Sequence, residues 1–464
     1  MPKVLSKARA TPAPASPSGF TCTPEALREL ASFVVEHSRK RGASACDCDV
    51  SEAHGLSVTV RKGQPDVVEH NRDRSVGVTI YVGERPRARR GHASTSDLSR
   101  PALEQTVDAA LAIARHTAED DCAGLPEPEL LARELPDLDL YHPWPIGTEE
   151  AVRLARRCEE AGLSVSDKIT NSEGATVSAQ HSQFVFANSH GFMAGYAGTR
   201  HYLACSLIAE DKGLMQRDDW FSSSRVPASL ADPAALGRYT ARRALARLGA
   251  RKIATCEAPV LFEAPAAIGL IGHFVSAVNG SSLYRKTSFL LDSLGKQVFS
   301  PLVQIDERPL EPQGSASTPF DEEGVATRSR RIVADGTLEG YFLGTYSARK
   351  LGMRSTGNAG GHHNLVVRSD GPDFEGMLRR MGRGLLVTEL MGQGINPVTG
   401  DYSRGAAGYW VEGGEIRFPV EEITIAGNLR DIFKGIAAIG SDVLVRSGRS
   451  CGSILVERMT IAGD

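Results

Sequence analysis

The histidines of this sequence are the first residues to test for chemistry, because an imidazole can bind a metal or carry a proton near neutral pH. In a helical His-Glu-x-x-His, two histidines one turn apart reach the same zinc ion, and the glutamate polarises the bound water. None of the twelve histidines here is followed by glutamate. The sequence therefore predicts no complete zinc-protease motif of this kind on the chain.

One segment, residues 260–278, combines a histidine with an unusual helical pattern. A strand at 260–262 leads into a helix that begins near Ala264. Its apolar face carries Ala267, Leu270, Ile271, Phe274, Val275 and Val278, and its other face carries Gly269, Gly272, His273 and Ser276. Small residues around one imidazole suit close approach by another backbone or the wall of a cleft. A structural, hydrogen-bonded His273 is the alternative.

Two further segments contain metal-binding residue types. His362 and His363 follow two glycines and could ligate a metal, but a loop that places two imidazoles near solvent is the favoured interpretation. Cys46-Asp47-Cys48 has the wrong spacing for a zinc knuckle and lacks a second cysteine pair. Neither segment predicts a metal centre.

Other motif matches fail on their structural context. The run 448–452 has the form Gly-x-Ser-x-Gly, yet a nucleophile elbow needs a following helix and a later histidine. Residues 454–457 indicate a strand, and no histidine follows His363. Lys286-Thr287 and the glycines at 392–394 do not match phosphate-binding loops. The four arginines at 85, 87, 89 and 90 favour a solvated hairpin over a phosphate site.

Composition limits the class of protein. The chain has 464 residues, 41% hydrophobic residues, 23% charged residues and a formal net charge of −3. This balance argues against coating of nucleic acid and against electrostatic membrane binding. The sequence has no apolar run of membrane-spanning length and no signal-peptide core. Eight scattered cysteines are expected to be reduced thiols, so we predict a cytoplasmic location.

Periodicity predicts an α+β fold with antiparallel sheet in its N-terminal α/β segments and a larger, strand-rich C-terminal domain. We expect a disordered tail at 1–22, an N-terminal segment at 23–121, a middle segment at 146–250 and a C-terminal domain at 257–464. A proline-rich connector joins the first two segments. The first helix is expected to begin after the cap residue Thr23, and residues 211–229 are expected to form a polar loop. The run 443–445 is a predicted part of the C-terminal core, and glycine-rich C-terminal strands are expected to wall a cleft.

Several runs, taken together, resemble the TldD/PmbA family and specifically its PmbA (TldE) branch. The similarity extends from about residue 24 to the C-terminus. The runs that carry it are 269–273, 281–296, 317–321, 347–352, 389–394, 400–405 and 422–428.

The resemblance implies a cytosolic heterodimeric peptidase in which the TldD-type subunit holds zinc with a His-Glu-x-x-x-His helix and a C-terminal cysteine. Ile268 and Gly269 stand where that subunit has its first histidine and its glutamate, and His273 matches the second histidine. Cys451 is a loose match for the cysteine. No catalytic residue is expected on this chain alone, and a site formed by His273 and Cys451 would be vestigial. Zinc is expected on the partner subunit, and no cofactor is expected on this chain.

The leading hypothesis is therefore a PmbA/TldE-like subunit that binds a TldD-type subunit and acts with it on peptides or unfolded protein segments. Nucleic acid and membrane are not expected partners. A regulatory, protein-binding factor of the gyrase-modulator type is the first alternative. The second is a metalloenzyme that uses His273 and Cys451 with His362 or His363.

Overall fold

The computed structural model describes residues 19–463, and one six-stranded antiparallel sheet organises its N-terminal half. The strand order is β3-β2-β1-β4-β5-β6. The elements are α1 (Pro24–Lys40), β1 (Ala45–Arg61), β2 (Gln64–Val82), β3 (Arg89–Thr95), α2 (Arg100–His116), α3 (Thr148–Leu163), β4 (Ile169–Asn188), β5 (Met193–Asp211), β6 (Leu214–Ser224) and α4 (Pro233–Ala246). Strand β1 pairs with β4 from Asp47 to Val60, so the segments predicted at 23–121 and 146–250 share one sheet.

All four of these helices pack on one face of the sheet. Cys46, Cys48 and Val50 of β1 join the core under α1 and α2. Leu56 and Val58 of the same strand join the core under α3 and α4. Because side chains alternate along a strand, the residues between them point to the opposite face. That opposite face carries polar residues and is turned toward the C-terminal half.

The strands are longer than the sequence pattern predicts. The predicted runs at 169–178 and 182–187 belong to one strand, β4, and the predicted loop at 211–229 contains β6. That loop prediction was wrong because β6 is largely polar and only partly buried, which weakens the alternation of apolar residues. The predicted runs at 66–71 and 75–82 likewise belong to one strand, β2, whose first half, from 64 to 74, is exposed throughout.

The C-terminal half contains two six-stranded sheets. Their orders are β14-β13-β12-β7-β18-β15 and β10-β9-β8-β11-β17-β16. The strands are β7 (Cys256–Phe262), β8 (Ile305–Glu307), β9 (Arg330–Ala334), β10 (Thr337–Leu338), β11 (Leu365–Val367), β12 (Gly384–Met391), β13 (Asp401–Glu412), β14 (Glu415–Asn428), β15 (Ile436–Ile439), β16 (Leu444–Arg446), β17 (Arg449–Cys451) and β18 (Ile454–Ala462). The helices are α5 (Ala264–Ala277), α6 (Gly280–Tyr284), α7 (Thr345–Lys350), α8 (Phe374–Met381) and α9 (Leu429–Lys434). The predicted α+β class, with its strand-rich C-terminal domain, is confirmed.

Helix α5 packs in a core that both C-terminal sheets share. Its Leu270, Ile271 and Phe274 are buried with Phe262 of one sheet and Leu365 of the other. The apolar face predicted from the sequence is therefore real. The predicted core run at 443–445 is wrong, because Val445 is 59% exposed on an edge strand.

The predicted disordered tail ends too late. Residues 1–18 lie outside the described part of the chain, but Phe20 is buried. The backbone N–H of Thr21 donates to Glu52 Oε1 at 2.8 Å, and that of Cys22 donates to Oε2 at 3.0 Å. Burial alone would raise the pKa of Glu52, but these hydrogen bonds hold it below its usual value. Helix α1 then begins as predicted, with Thr23 accepting from the N–H of Ala26.

Two polar contacts hold the first sheet and its connector against the C-terminal half. Arg243 of α4 forms a bidentate pair with Glu263, the residue before α5, at 2.8 and 3.2 Å. Arg349 of α7 donates to the carbonyls of Cys122, Gly124 and Leu125 in the proline-rich connector and also pairs with the Glu127 carboxylate. Both guanidinium groups are largely buried, so the two halves meet over a defined interface. Within residues 19–463, no helix is long and apolar enough to cross a membrane.

Candidate functional site

Ile268 and Gly269, which occupy the positions of the first zinc-binding histidine and of the glutamate, lie in different surroundings on α5. Ile268 is 4% exposed and belongs to the apolar core around α5. Gly269 is exposed, and a Cβ added there would meet no atom within 4 Å. Neither residue offers an oxygen, nitrogen or sulfur side-chain atom. This surface of α5 is therefore open and carries neither a ligand nor a general base at these positions.

His273 is half-buried beside two positive charges. Its Nε2 atom is buried and makes no hydrogen bond among the described residues, and its ring lies edge-on to Tyr402 at 5.9 Å. Burial first, and then the charges of Arg404 and Arg449, lowers the pKa of His273 to about 4. The imidazole is thus neutral at physiological pH, in surroundings that disfavour a further cation.

Arg449 lies directly against this helix. Its Nη1 donates to the carbonyl of Ile268 at 3.2 Å, and a Cβ added at Gly272 would collide with the same nitrogen. Burial lowers the pKa of Arg449. Over residues 19–463, neither Arg449 nor Arg404 forms an ion pair with a carboxylate. The glycine at 272 is what allows a guanidinium group to rest on α5.

Cys451 is enclosed in the core at the end of β17. Its thiol donates to the carbonyl of Gly452 at 3.2 Å, and burial raises the pKa of the thiol far above its usual value. A thiolate, the form that binds zinc, is therefore disfavoured. The role of His273 and Cys451 as a vestigial metal pair stays a prediction.

The residues around α5 do not fit a zinc ion. Two of the four family positions offer no ligand atom, His273 lies between two cations, and Cys451 is held as a thiol. In the described part of the chain, the one group of three possible ligand atoms lies elsewhere, at Asp120, Asp121 and Cys122, where Lys350 already pairs with both carboxylates.

The alternative metal site, in which His362 or His363 joins His273 and Cys451, does not form in the described part of the chain either. His363 is buried, contrary to the prediction of a solvent-facing loop, and its Nε2 pairs with the carbonyl of Gly357 at 2.7 Å. Burial first, with Arg449 next, lowers the pKa of His362 to about 4. Both histidines belong to the wall of a large cavity.

That cavity, of about 1120 Å³, lies between the polar face of the first sheet and the C-terminal half. Its sheet wall includes Asp47, Asp49, Ser51, Arg90, Phe184 and Tyr196, and its C-terminal wall includes Ser317, Phe320, Asp321, Glu322, Glu323, His362 and His363. The C-terminal wall comes from loops at 315–323 and 358–363 and from residues of and next to α6 and α7. No residue of the C-terminal strands β7 to β18 lines it, so the glycine-rich strands expected to wall a cleft do not form this cavity.

The sheet wall is what sequence reasoning missed. Cys46, Cys48 and Val50 face the helices, so Asp47, Asp49 and Ser51 face the cavity. The strict alternation of apolar and polar side chains over residues 46–51 is the signal that predicts this face. Burial raises the pKa of Asp47 to about 7, and the nearby charge of Glu323 adds to this shift.

Asp321 shapes the opposite wall. Its Oδ1 accepts the backbone N–H groups of Glu323 and Val325, and its Oδ2 accepts that of Ala359, each at 2.9 Å. Burial, reinforced by Glu323, raises the pKa of Asp321 to about 7 in spite of these bonds. Asp321 belongs to the run 317–321 that carried the family resemblance, so that motif builds the cavity rather than the α5 surface.

The remaining sequence motifs do not form sites. Ser450 lies in β17 and is followed by the strand β18 rather than by a helix, so the nucleophile elbow is excluded. Arg85 pairs with Glu127 at 3.2 Å, and Arg89 pairs with Glu119 at 3.2 Å. The arginine-rich hairpin is thus partly neutralised, as the solvated interpretation expects.

The fold defines the class of protein: a mixed α/β chain with one N-terminal antiparallel sheet and two C-terminal sheets that pack around α5. Three family models match, described as the PmbA/TldA metallopeptidase domain 1 at residues 46–114, central domain at 141–248 and C-terminal domain at 255–463. The chain belongs to this family, and the resemblance stated from the sequence is confirmed.

Individual relatives agree with this assignment. The chain is 49% identical to "Metalloprotease PmbA" of Escherichia coli O157:H7, over 94% of this chain and 96% of that protein. A crystal structure of a proposed modulator of DNA gyrase from Bacteroides thetaiotaomicron is similar with a TM-score of 0.89 and 25% identity, covering 95% of this chain and 100% of that one. TldE from Thermococcus kodakarensis shares the fold, with a TM-score of 0.81 and 19% identity over 94% of this chain and 100% of that one.

Proposed function

We propose that this chain is the non-zinc subunit of a TldD–TldE-type metallopeptidase and that a TldD-type partner supplies the zinc. The surface of α5 carries the proposal. Ile268 and Gly269 provide no ligand or base there, and Arg404 and Arg449 place positive charge beside the remaining His273. A chain with this surface needs a second subunit to activate water.

The proposed substrates are peptides or unfolded protein segments, as in peptide maturation. An extended segment can bind by adding a strand to an existing sheet, which satisfies its backbone groups whatever its sequence. The chain would act in the cytoplasm, in keeping with eight cysteines that are all free thiols. Neither nucleic acid nor membrane is a proposed partner.

The test compares three samples on one unstructured peptide: this chain, a TldD-type subunit, and their mixture. We expect cleavage by the mixture to exceed the summed rates of the separate chains, and we expect zinc to co-purify with the TldD-type subunit. A matched control repeats the mixture after chelation of that subunit. Cleavage by this chain alone at the rate of the mixture would refute the proposal.

A second candidate function is a regulatory, protein-binding role, favoured by the similarity to the Bacteroides protein described as a proposed modulator of DNA gyrase. Affinity purification of the tagged chain, from cells with and without a TldD-type subunit, separates the two functions. A regulator retains its target in both cells. A peptidase subunit chiefly retains the TldD-type chain.

A further inference from the structure

The cavity between the sheet and the C-terminal half is large enough for several residues of an extended peptide. Its volume of about 1120 Å³ exceeds the roughly 300–1000 Å³ that is usual for a small-molecule pocket. Gly269 and His273 are not among its lining residues. The ligand of this cavity must therefore be inferred from the residues that line it.

Negative charge dominates those walls. Five carboxylates line the cavity against two guanidinium groups, and they are Asp47, Asp49, Asp321, Glu322 and Glu323. Among residues 19–463, none of the five forms an ion pair within 4.0 Å. Arg225 is already bound by the carbonyls of Gly314, Thr199 and Ser315, so Arg90 is the one guanidinium group left near these carboxylates.

Asp47 and Glu323 lie on opposite walls of the cavity. Asp47 belongs to β1, and Glu323 follows the Asp321 loop of the C-terminal half, where its Oε2 accepts the N–H of Thr345 at 2.8 Å. The charge of Glu323 makes ionisation of Asp47 less favourable. A cationic group between the walls would remove this repulsion.

Aromatic rings line the same space. Phe320 lies 6.0 Å from Phe184 and 6.0 Å from Tyr196, ring centre to ring centre, so rings from both halves form one cluster. Apolar ring faces pack against aliphatic chains and attract cations. The combination of rings with unpaired carboxylates fits a long aliphatic side chain that ends in a positive charge.

We propose that this cavity binds a lysine- or arginine-containing segment of a peptide, with the cationic group between Asp47 and Glu323 and its aliphatic stem against the ring cluster. The inference rests on the proposed function, because it takes the ligand to be a peptide. The non-zinc subunit then selects which peptide segment the complex binds.

The test is calorimetric titration of the full-length chain with two unstructured octapeptides that differ only by lysine or glutamine at two positions. We expect the lysine peptide to bind at least tenfold more tightly. Asp47→Asn and Glu323→Gln should each reduce that preference several-fold. Glu36→Gln, which changes an exposed carboxylate on the outer side of α1, is the matched control and should leave it unchanged.

Asp49→Asn is a further variant in case Asp47→Asn does not fold, and its thermal unfolding midpoint is checked against the parent. Equal binding of the two peptides, or an unchanged preference in the folded variants, overturns the inference. Spermidine binding as tightly as the lysine peptide also overturns it, because the cavity would then select a free polyamine. If the mixture of the two subunits cleaves the lysine and glutamine peptides equally, the lysine preference is rejected but the proposed function is not. If the lysine peptide binds this chain but the mixture does not cleave it, the proposed function is rejected but the lysine preference is not.

Discussion

Two glycines of α5 allow a matched test of how Arg449 rests on the helix. Gly269→Ala and Gly272→Ala make the same change in one helix. Each should gain about 1 kcal/mol of helix stability, because alanine loses less backbone entropy than glycine. At Gly269 the added Cβ meets open space, so the full gain is expected.

At Gly272 the added Cβ displaces the Arg449 guanidinium from the carbonyl of Ile268. The group is the flexible end of a side chain, so the main loss is its hydrogen bond, about 1.5 kcal/mol for a charged donor. The net effect of Gly272→Ala is then a loss of about 0.5 kcal/mol. The two variants should differ by about 1.5 kcal/mol, which is roughly tenfold in an equilibrium constant.

The measurement is hydrogen exchange of the α5 amides, which reports opening of this region without assuming two-state unfolding of the whole chain. Exchange should be roughly tenfold faster in Gly272→Ala than in Gly269→Ala. In an Arg449→Met background, both substitutions should slow exchange equally. Equal effects with Arg449 present, or a loss at Gly272 that persists without it, would refute this account of the contact.

Three further predictions concern the metal, the interface and the cavity. The double variant Ile268→His, Gly269→Glu should not retain one equivalent of zinc after dialysis, because Arg404 and Arg449 still place positive charge beside His273. Elemental analysis measures the zinc, and a stoichiometric amount would contradict this prediction. Arg349→Ala removes bonds to three connector carbonyls and one carboxylate, so limited proteolysis should cut near residues 122–127, and Arg349→Lys should not restore protection. Lysine-peptide affinity should rise from pH 6 to pH 8, because the pKa of Asp47 is about 7 and only its ionised form attracts the cation. Thr79, Arg90, Asp49 and Glu323 also face Asp47, and calorimetry on Asp47→Asn should show a smaller rise.

Features set by neighbouring residues could be predicted from the sequence. The cap at Thr23, the start of α5 and its apolar face depend on contacts within about one or two helical turns, and all three are correct. The positions of Ile268 and Gly269 followed from a family pattern. Their different exposure required the packing of both sheets around the helix.

The cavity could not be predicted, because distant segments create it. Asp47 and Glu323 come together only after β1 pairs with β4 and the C-terminal loops close over the sheet. The charges beside His273 have the same origin, since Arg404 belongs to β13 and Arg449 to β17. No periodic pattern in the sequence predicts contacts between residues that are so far apart in the chain.

The pairing of β1 with β4 also fixes an order of events during synthesis. Residues 47–60 leave the ribosome more than a hundred residues before their partners at 175–188. Until then β1 has β2 on one side and unpaired backbone groups on the other, and such an edge invites pairing with other chains. A fragment that stops at residue 121 is therefore expected to aggregate, whereas one that continues through α4 contains a closed set of strand partners. We therefore expect the first boundary that yields an independently folding piece to lie between α4 and β7.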